Sequence, residues 1–343
     1  MKRATRIYPV HERQSGPTEI LAMDRRRFLR CLGLAAVAAN MPWFSACVPT
    51  QTLVVALHPW VGYETLYLAR DLKWLPDGVR LRDDKTLDES LKAVQSGEAA
   101  AVCLTLDEML RARAAGLPLA AALVFDVSAG ADMVLARPGI AKLSDLAHKR
   151  IGFDQNALGA LVFEKMLETA GLPASELTQV DLPPARQLEA WRRNEVDAVI
   201  TYEPMATIFM REGARNLFDS RQMPDTIIDV LAVRRDRPKV LPLVRALVAC
   251  HFRALEHMRT HEQDALFRIS AREGLTPDEA RRELAGVTLP SLAANRAYLV
   301  GSDARLIRAA GTLSRLMVRR GMLARQDDLD KLIMPGTLPS DER

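Results

Sequence analysis

The sequence predicts an α/β fold of two lobes with a helical C-terminal portion, and three observations carry that expectation. From Leu53 onward, short β-rich runs alternate with stretches of helical period. The alternation starts again after the small-residue stretch Ser128-Ala129-Gly130-Ala131. Beyond residues 227–233 the pattern is helical only. With 343 residues, 48% of them hydrophobic, the chain is long enough for two domains, and its composition excludes disorder and coiled coil as the main structure.

In the first series, strands are expected over 53–57, 79–82, 100–104 and 119–125, with helices opening near Gly62 and spanning 86–96 and 106–115. Thr86-Leu87-Asp88-Glu89, Thr105-Leu106-Asp107-Glu108 and Thr276-Pro277-Asp278-Glu279 match the capping box, in which the hydroxyl takes a free helix N–H and the Glu reaches back. Their acids therefore read first as caps. In the second series, strands are expected over 150–153, 178–182 and 197–202. Leu158, Val162, Phe163, Met166, Leu167 and Ala170 form a helix stripe that stops at Gly171, and further helices are expected over 185–193 and 204–212. Strand-helix alternation implies a largely parallel sheet. After the strand over 227–233, Val244, Leu247, Val248, His251, Leu255 and Met258 make one helical stripe, and Leu306, Ala310, Leu313 and Met317 another.

The formal net charge of +4 is unevenly placed. Residues 1–46 carry eight basic and three acidic side chains, a surplus of five, so the remainder has a net charge of −1. The balance gives no reason to expect a nucleic-acid partner. The basic block ends in Arg25-Arg26-Arg27-Phe28-Leu29-Arg30 and is followed by a weakly apolar run, residues 31–39, too short to span a bilayer as a helix. Positive charge ahead of a short apolar run reads as an export signal over residues 1–46. Arg25 and Arg26, with Phe28 and Leu29, resemble the twin-arginine signal, and general secretion is the other route. Phe44-Ser45-Ala46-Cys47 resembles a lipoprotein cleavage box, which implies lipid on Cys47 and anchoring at the periplasmic or cell-surface side of a membrane. Translation from Met1 and from Met23 both fit this reading. Cys103 and Cys250 are too few and too far apart to form a disulfide framework.

The sequence has no P-loop, no glycine-rich dinucleotide motif, no nucleophile elbow, no CxxC and no HExxH. His257 and His261 have i,i+4 spacing, but no carboxylate in register accompanies them, so packing is the expectation and no metal is called. The remaining candidates lie at the carboxyl ends of predicted strands, where open α/β sheets bind ligands. They fall in His58-Pro59-Trp60-Val61-Gly62-Tyr63-Glu64, Thr105-Leu106-Asp107, Asp126 with Ser128, Asp154 to Gly159, Tyr202-Glu203-Pro204 and Asp229. The set holds aromatics and acids but no Lys or Arg.

Trp60-x-Gly62-Tyr63-Glu64-x-Leu66-Tyr67-Leu68-Ala69-Arg70, Leu106-Asp107-Glu108, Asp126-x-Ser128-x-Gly130-Ala131-Asp132, Ile151-Gly152, Ala157-Leu158-Gly159, Asp197-Ala198-Val199, Tyr202-Glu203-Pro204 and Phe218-Asp219-Ser220 occur in this order. Together they resemble the solute-binding proteins of ABC importers for nitrate, sulfonates such as taurine, and thiamine precursors. The resemblance covers roughly residues 53–300. It implies a type 2 periplasmic binding protein, with crossings near 128–135 and 224–229 and hinge closure on the solute. Lobe 1 would comprise 51–132 and 228–343, and lobe 2 would comprise 133–227. The implied ligand positions are Trp60, Gly62, Tyr63, Glu64, Thr105, Asp126, Ala157, Leu158, Gly159, Tyr202, Glu203 and Asp229. The implied partners are a small solute and a membrane permease, with the protein a monomer and no cofactor.

A nitrate or sulfonate site is normally built from cations or converging N–H groups. Glu64, Asp126, Glu203 and Asp229 favour instead a neutral or cationic nitrogen heterocycle stacked on Trp60, Tyr63 or Tyr202, such as a thiamine-pyrimidine-like compound. The expected function is binding without catalysis. The alternatives are a thiamine-pyrimidine-precursor synthase-like enzyme, which would need an activated Lys, His or Cys facing the cleft and for which His58 is the evident candidate, and an extracytoplasmic sensor subunit.

Overall fold

The computed structural model describes residues 51–155 and 157–340. The export signal with Arg25 and Arg26, and the lipidation position Cys47, lie outside the described residues.

The first lobe opens with β1 (Leu53–Leu57), α1 (Glu64–Asp71), β2 (Val79–Asp83), α2 (Leu87–Ser96), β3 (Ala101–Thr105), α3 (Leu106–Ala114) and β4 (Leu119–Ser128). The chain then crosses to β5 (Asp132–Ala136), β6 (Arg150–Phe153), α4 (Ala157–Ala170), β7 (Thr178–Asp181), α5 (Pro184–Arg192), β8 (Ala198–Tyr202), α6 (Met205–Arg211) and β9 (Arg215–Asp219). It returns through β10 (Ile228–Arg234) and continues as α7 (Leu241–Thr260), α8 (Glu262–Glu273), α9 (Pro277–Leu284), β11 (Val287–Thr288), α10 (Leu292–Leu299) and α11 (Arg305–Arg319).

Two sheets result, in the orders β11-β4-β10-β3-β1-β2 and β7-β6-β8-β5-β9. Both are mixed: four of the strand pairings among the described residues are parallel and five antiparallel, where strand-helix alternation implied a largely parallel sheet. In the first sheet β10 runs antiparallel to both β3 and β4; in the second, β5 runs antiparallel to both β8 and β9. The reversed strands share a cause, since each is the strand by which the chain enters that lobe from the other. Three strands escaped the sequence reading. β5 directly follows the small-residue stretch, β9 is a short strand exposed at its start, and β11 is a two-residue pairing on β4 that interrupts the all-helical C-terminal portion.

The two crossings are hydrogen-bonded to each other. Ser128 Oγ and Ser220 Oγ lie 2.7 Å apart, Gly130 N–H donates to Ser220 Oγ at 2.7 Å, and Ser128 N–H donates to the Ile227 carbonyl at 3.0 Å. Away from the crossings the lobes meet where α3 packs on α4, and one apolar cluster runs through Leu106, Met109 and Leu110 to Val162, Phe163 and Met166. Burial of side chains this size stabilises by about 1.5–3 kcal/mol each, so this contact is a substantial part of the interface.

The first sheet takes strands from before and after the second sheet in the described chain. Helix α11 buries the predicted stripe Leu306, Ala310, Leu313 and Met317. The segment beyond it lies along β4, where Ala121 N–H donates to the Leu332 carbonyl at 2.7 Å and Thr337 Oγ1 donates to the Ala122 carbonyl at 2.7 Å. Cys103 and Cys250 are free thiols, and the Cys250 thiol donates to the Trp74 carbonyl at 2.9 Å. Among the described residues, no helix is long and apolar enough to cross a membrane.

Candidate functional site

The carboxyl ends of β1 and β8 meet across the lobes. Trp60 follows β1 in an extended conformation, and its indole stands edge-on to the Tyr202 ring at the end of β8, with centroids 5.8 Å apart. Beneath it, Tyr63 is fully buried and packs edge-on against Phe125 at 5.3 Å and His58 at 5.7 Å. These rings are the apolar wall of the candidate site.

The polar wall is acidic. Strand register sets Asp229, near the start of β10, beside Thr105 at the end of β3 and Asp126 at the end of β4. A shift between Asp229 and Val230 leaves Phe125 as an extra β4 residue, a bulge of the kind that re-aims side chains at sites. Asp126 Oδ2 accepts from the Trp60 indole N–H at 3.0 Å, and Asp229 Oδ1 accepts from the Tyr63 hydroxyl at 2.5 Å. Among the described residues the second oxygens of these carboxyls, Asp126 Oδ1 and Asp229 Oδ2, have no hydrogen-bond partner, and the same holds for Asp107 Oδ2 and Asp132 Oδ2. All four residues are buried. A buried polar atom without a partner costs free energy that a native fold usually avoids.

The electrostatics follow from burial. Desolvation lifts the Asp126 carboxyl to about 8, with repulsion from Asp132 adding to it and the Trp60 hydrogen bond opposing it. Asp132 rises to about 7, through burial and then the neighbouring charges of Asp107 and Glu203. Burial, followed by Asp107, lifts Glu108 to about 8. Asp229 is pushed well above the carboxylate range by burial and by Asp126, and Asp107 is raised by burial. Below these values the carboxyls hold their protons, and a positive charge or N–H donor brought among them favours their ionised form.

The other expected positions have more local partners. Glu64 forms an ion pair with Arg272 of α8, whose guanidinium also lies over the Tyr67 ring at 4.0 Å. This cation, brought in from the C-terminal helices, neutralises Glu64, and the short motif around Trp60 could not reveal it. Glu203 accepts from Thr207 N–H at 2.9 Å and Thr207 Oγ1 at 3.1 Å, holding the start of α6. Thr105 donates its backbone N–H to Glu108 at 2.9 Å, the expected reach-back of the capping box. Ala157, Leu158 and Gly159 form the first turn of α4, and Leu158 is half-buried.

Two glycines are set by close approach. A Cβ on Gly62 would stand 1.7 Å from Asp126 Oδ2 and 2.6 Å from the Trp60 indole nitrogen. A Cβ on Gly159 would lie 2.1 Å from the Asp154 carbonyl oxygen, so only glycine lets the β6–α4 connection pass so close.

Asp107 stood among the strand-end candidates but, like Asp132, is not among the ligand positions that the resemblance implies. Asp107 reads in sequence as a helix-start acid, and Asp132 begins β5, opposite Tyr202. The available signal was position: both stand at strand ends where the lobes meet. Of the histidines, His58 is buried and its pKa is lowered by desolvation to about 4, a neutral ring at neutral pH. His257 bonds Asp264 at 2.8 Å and packs edge-on to Trp74; among the described residues no group of three His, Cys, Asp or Glu side chains could hold a metal ion.

Known proteins place this architecture. The periplasmic aliphatic sulphonate binding protein SsuA from Escherichia coli superposes with a TM-score of 0.68 at 18% identity, covering 82% of this chain and 97% of that one. The alkanesulfonate-binding protein SsuA from Xanthomonas axonopodis pv. citri, bound to MOPS, gives 0.69 at 18% identity, covering 83% and 98%. A Candida albicans gene product described as having the generic periplasmic binding protein structural fold gives 0.62 at 14% identity, covering 84% and 98%. The fold is therefore the two-lobed periplasmic binding protein fold, as expected. A family model described as NMT1/THI5 like matches residues 78–265, more than half of the chain, and the chain belongs to the NMT1/THI5-like family. No curated protein matches the sequence.

Proposed function

We propose that this chain is the extracytoplasmic solute-binding subunit of an ABC importer, anchored through lipid on Cys47, that captures a small cationic or N–H-rich nitrogen heterocycle between its lobes. The observation that carries the proposal is the set of four buried carboxyl groups, Asp107, Asp126, Asp132 and Asp229, each with one oxygen that has no hydrogen-bond partner among the described residues; Asp126 bonds Trp60, Asp229 bonds Tyr63, Asp132 is the register partner of Tyr202, and the charge of Asp107 acts on Asp132. A protonated or amino-substituted ring satisfies both walls: its donors meet the carboxylates and its face meets the aromatics. A thiamine-pyrimidine-like compound has this character. The solved sulphonate binders with the same fold bind anions, and the acidic wall argues against that charge in this chain.

Lobe 1 is taken as residues 51–132 with 228–343 and lobe 2 as 133–227, with closure about the two crossings joined by Ser128 and Ser220. The protein acts as a monomer, with a membrane permease as its partner and no catalytic step. The neutral, desolvated His58 makes a poor general base for the synthase-like alternative. Thermal-shift measurements on the mature chain against aminopyrimidines, taurine, other sulfonates and nitrate test the proposal. Stabilisation by aminopyrimidines, recovered unchanged after incubation, supports it; stabilisation by the sulfonates alone overturns the ligand class.

A further inference from the structure

One buried carboxyl belongs to neither the cleft wall nor an ion pair. Glu283, near the end of α9, is 1% exposed, and its Oε1 has no hydrogen-bond partner among the described residues. An ionised carboxylate in such a place is costly, whereas the protonated acid avoids most of that cost.

Helix α9 lies in the first lobe but is joined to the second. Gly286 N–H donates to the Glu283 carbonyl at 2.9 Å, and the Gly286 carbonyl accepts from Ala129 N–H at 2.8 Å and Ala131 N–H at 3.0 Å, both on the first crossing. The Ala131 carbonyl in turn accepts from Glu203 N–H at 3.1 Å, just past the end of β8. One unbroken backbone path therefore runs from the turn after Glu283 to Glu203 in lobe 2. One turn earlier on α9, Glu279 accepts from Arg211 of α6 at 2.6 Å.

The charged groups around Glu283 come from both lobes. Glu203 acts on it from lobe 2, Glu273 from the end of α8 and Glu279 from its own helix, all three as like charges; Arg211 is the opposing cation. Two of these acids are already engaged, Glu273 by Arg272 and Glu279 by Arg211, and Arg282 acts on Glu203. The 61–63 turn, which also packs on α9, contributes Tyr63, whose hydroxyl is taken by Asp229, and β11 brings only Val287 and Thr288. Burial, with these like charges behind it, lifts the Glu283 carboxyl to about 9.

We propose that α9 is a proton-operated latch between the lobes: with Glu283 protonated the helix stays closed on the end of β8, and loss of that proton to solvent releases lobe 2. The latch rests on the closing motion of the two lobes proposed above. Parting of the lobes takes Glu203 and Arg211 away from α9 and admits water, so the carboxyl returns toward its ordinary value and the open form is favoured as pH rises.

Small-angle scattering on the solute-free mature chain, from about pH 5 to about pH 9, tests the latch. For one proton the open-to-closed ratio is expected to rise by about tenfold per pH unit, so the radius of gyration grows with pH. Glu283→Gln, a neutral isostere of the protonated acid, is expected to stay compact to higher pH. The cleft carboxyls add a pH dependence that both proteins share, so their difference isolates Glu283. Glu262→Gln, which removes an exposed acid from α8, is expected to match wild type, and circular dichroism confirms that each protein is folded across the range. An infrared difference spectrum, wild type minus Glu283→Gln at about pH 7, is expected to contain the C=O band of a protonated carboxyl. Absence of that band, identical scattering profiles in wild type and Glu283→Gln, or a wild-type radius that does not change with pH overturns the latch. Arg211→Gln/Arg320→Gln, measured at about pH 7, separates the two failures: if its lobes part while pH has no effect, the latch alone fails, and if nothing parts the lobes, the closing motion fails with it.

Discussion

Asp126 and Asp229 are direct register partners on adjacent antiparallel strands, two buried carboxyl groups side by side, each held by one aromatic donor and each with one oxygen left over. Two like charges in one desolvated place cannot both ionise freely, and several consequences can be measured.

The first concerns stability and pH. Asp126 and Asp132 have folded-state pKa values of about 8 and about 7, above the ordinary carboxylate value of 3.8. Between those limits the native state holds more protons than the unfolded state, so stability falls as pH rises. The ligand-free protein is expected to lose unfolding free energy from about pH 5 to about pH 8, by about 1.4 kcal/mol per pH unit for each retained proton, read as a falling Tm. Asp132→Asn is expected to flatten the profile. Thermal melts across this range check it; a Tm that rises steadily toward pH 8 contradicts it.

Binding has the opposite sign. A cationic solute stabilises the ionised carboxylates, so its capture releases protons and its affinity rises as pH increases through about 7 to 8. Calorimetry in buffers of different ionisation enthalpy measures the protons released, and net proton uptake would count against a cation.

Trp60 has two separable roles, a ring against Tyr202 and an N–H on Asp126. Trp60→Phe keeps the first and removes the second, and is expected to weaken solute binding by about tenfold or less; Trp60→Ala removes both and is expected to weaken it further. Equal affinity in wild type and Trp60→Ala would remove this ring from the site.

Gly62 has no room for a side chain, since its added Cβ would overlap the Asp126 carboxylate. Gly62→Ala is expected to cost about 1–3 kcal/mol in unfolding free energy, the usual range for overpacking, and to displace Asp126 and Trp60. Chemical denaturation and solute titration together check both effects.

Ion pairs between the lobes include two outside the crossings. Arg211 on α6 donates to Glu279 on α9 at 2.6 Å, and Arg320 after α11 pairs with Glu164 on α4 at 2.9 Å. Arg211→Gln/Arg320→Gln is expected to speed solute release several-fold and to enlarge the radius of gyration, with little change in Tm. Small-angle scattering and stopped-flow release report the two independently.

Much of this architecture was legible in the sequence because local rules dominate there. The capping box at Thr276, the Gly171 stop after α4 and the stripe on α11 all act within a few turns of chain. Less legible was whatever depended on pairing between distant segments. Strand reversal in β5 and β10 comes from the route of the chain between lobes, and β11 exists only because β4 offers an edge. In the site, Trp60, Tyr63, Asp126, Tyr202 and Asp229 stood out by residue type at strand ends. Asp107 and Asp132 looked like ordinary helix-start and strand-start acids, and Arg272 reaches Glu64 from more than two hundred residues away. Which carboxylates are compensated is a tertiary fact.

The most direct test of the central claim is a calorimetric titration of the mature protein with an aminopyrimidine and, separately, with taurine, at pH 8. Saturable binding of the aminopyrimidine, lost in Asp126→Asn/Asp229→Asn, is expected, and none of taurine. Tight binding of taurine, retained in that double variant, would contradict it.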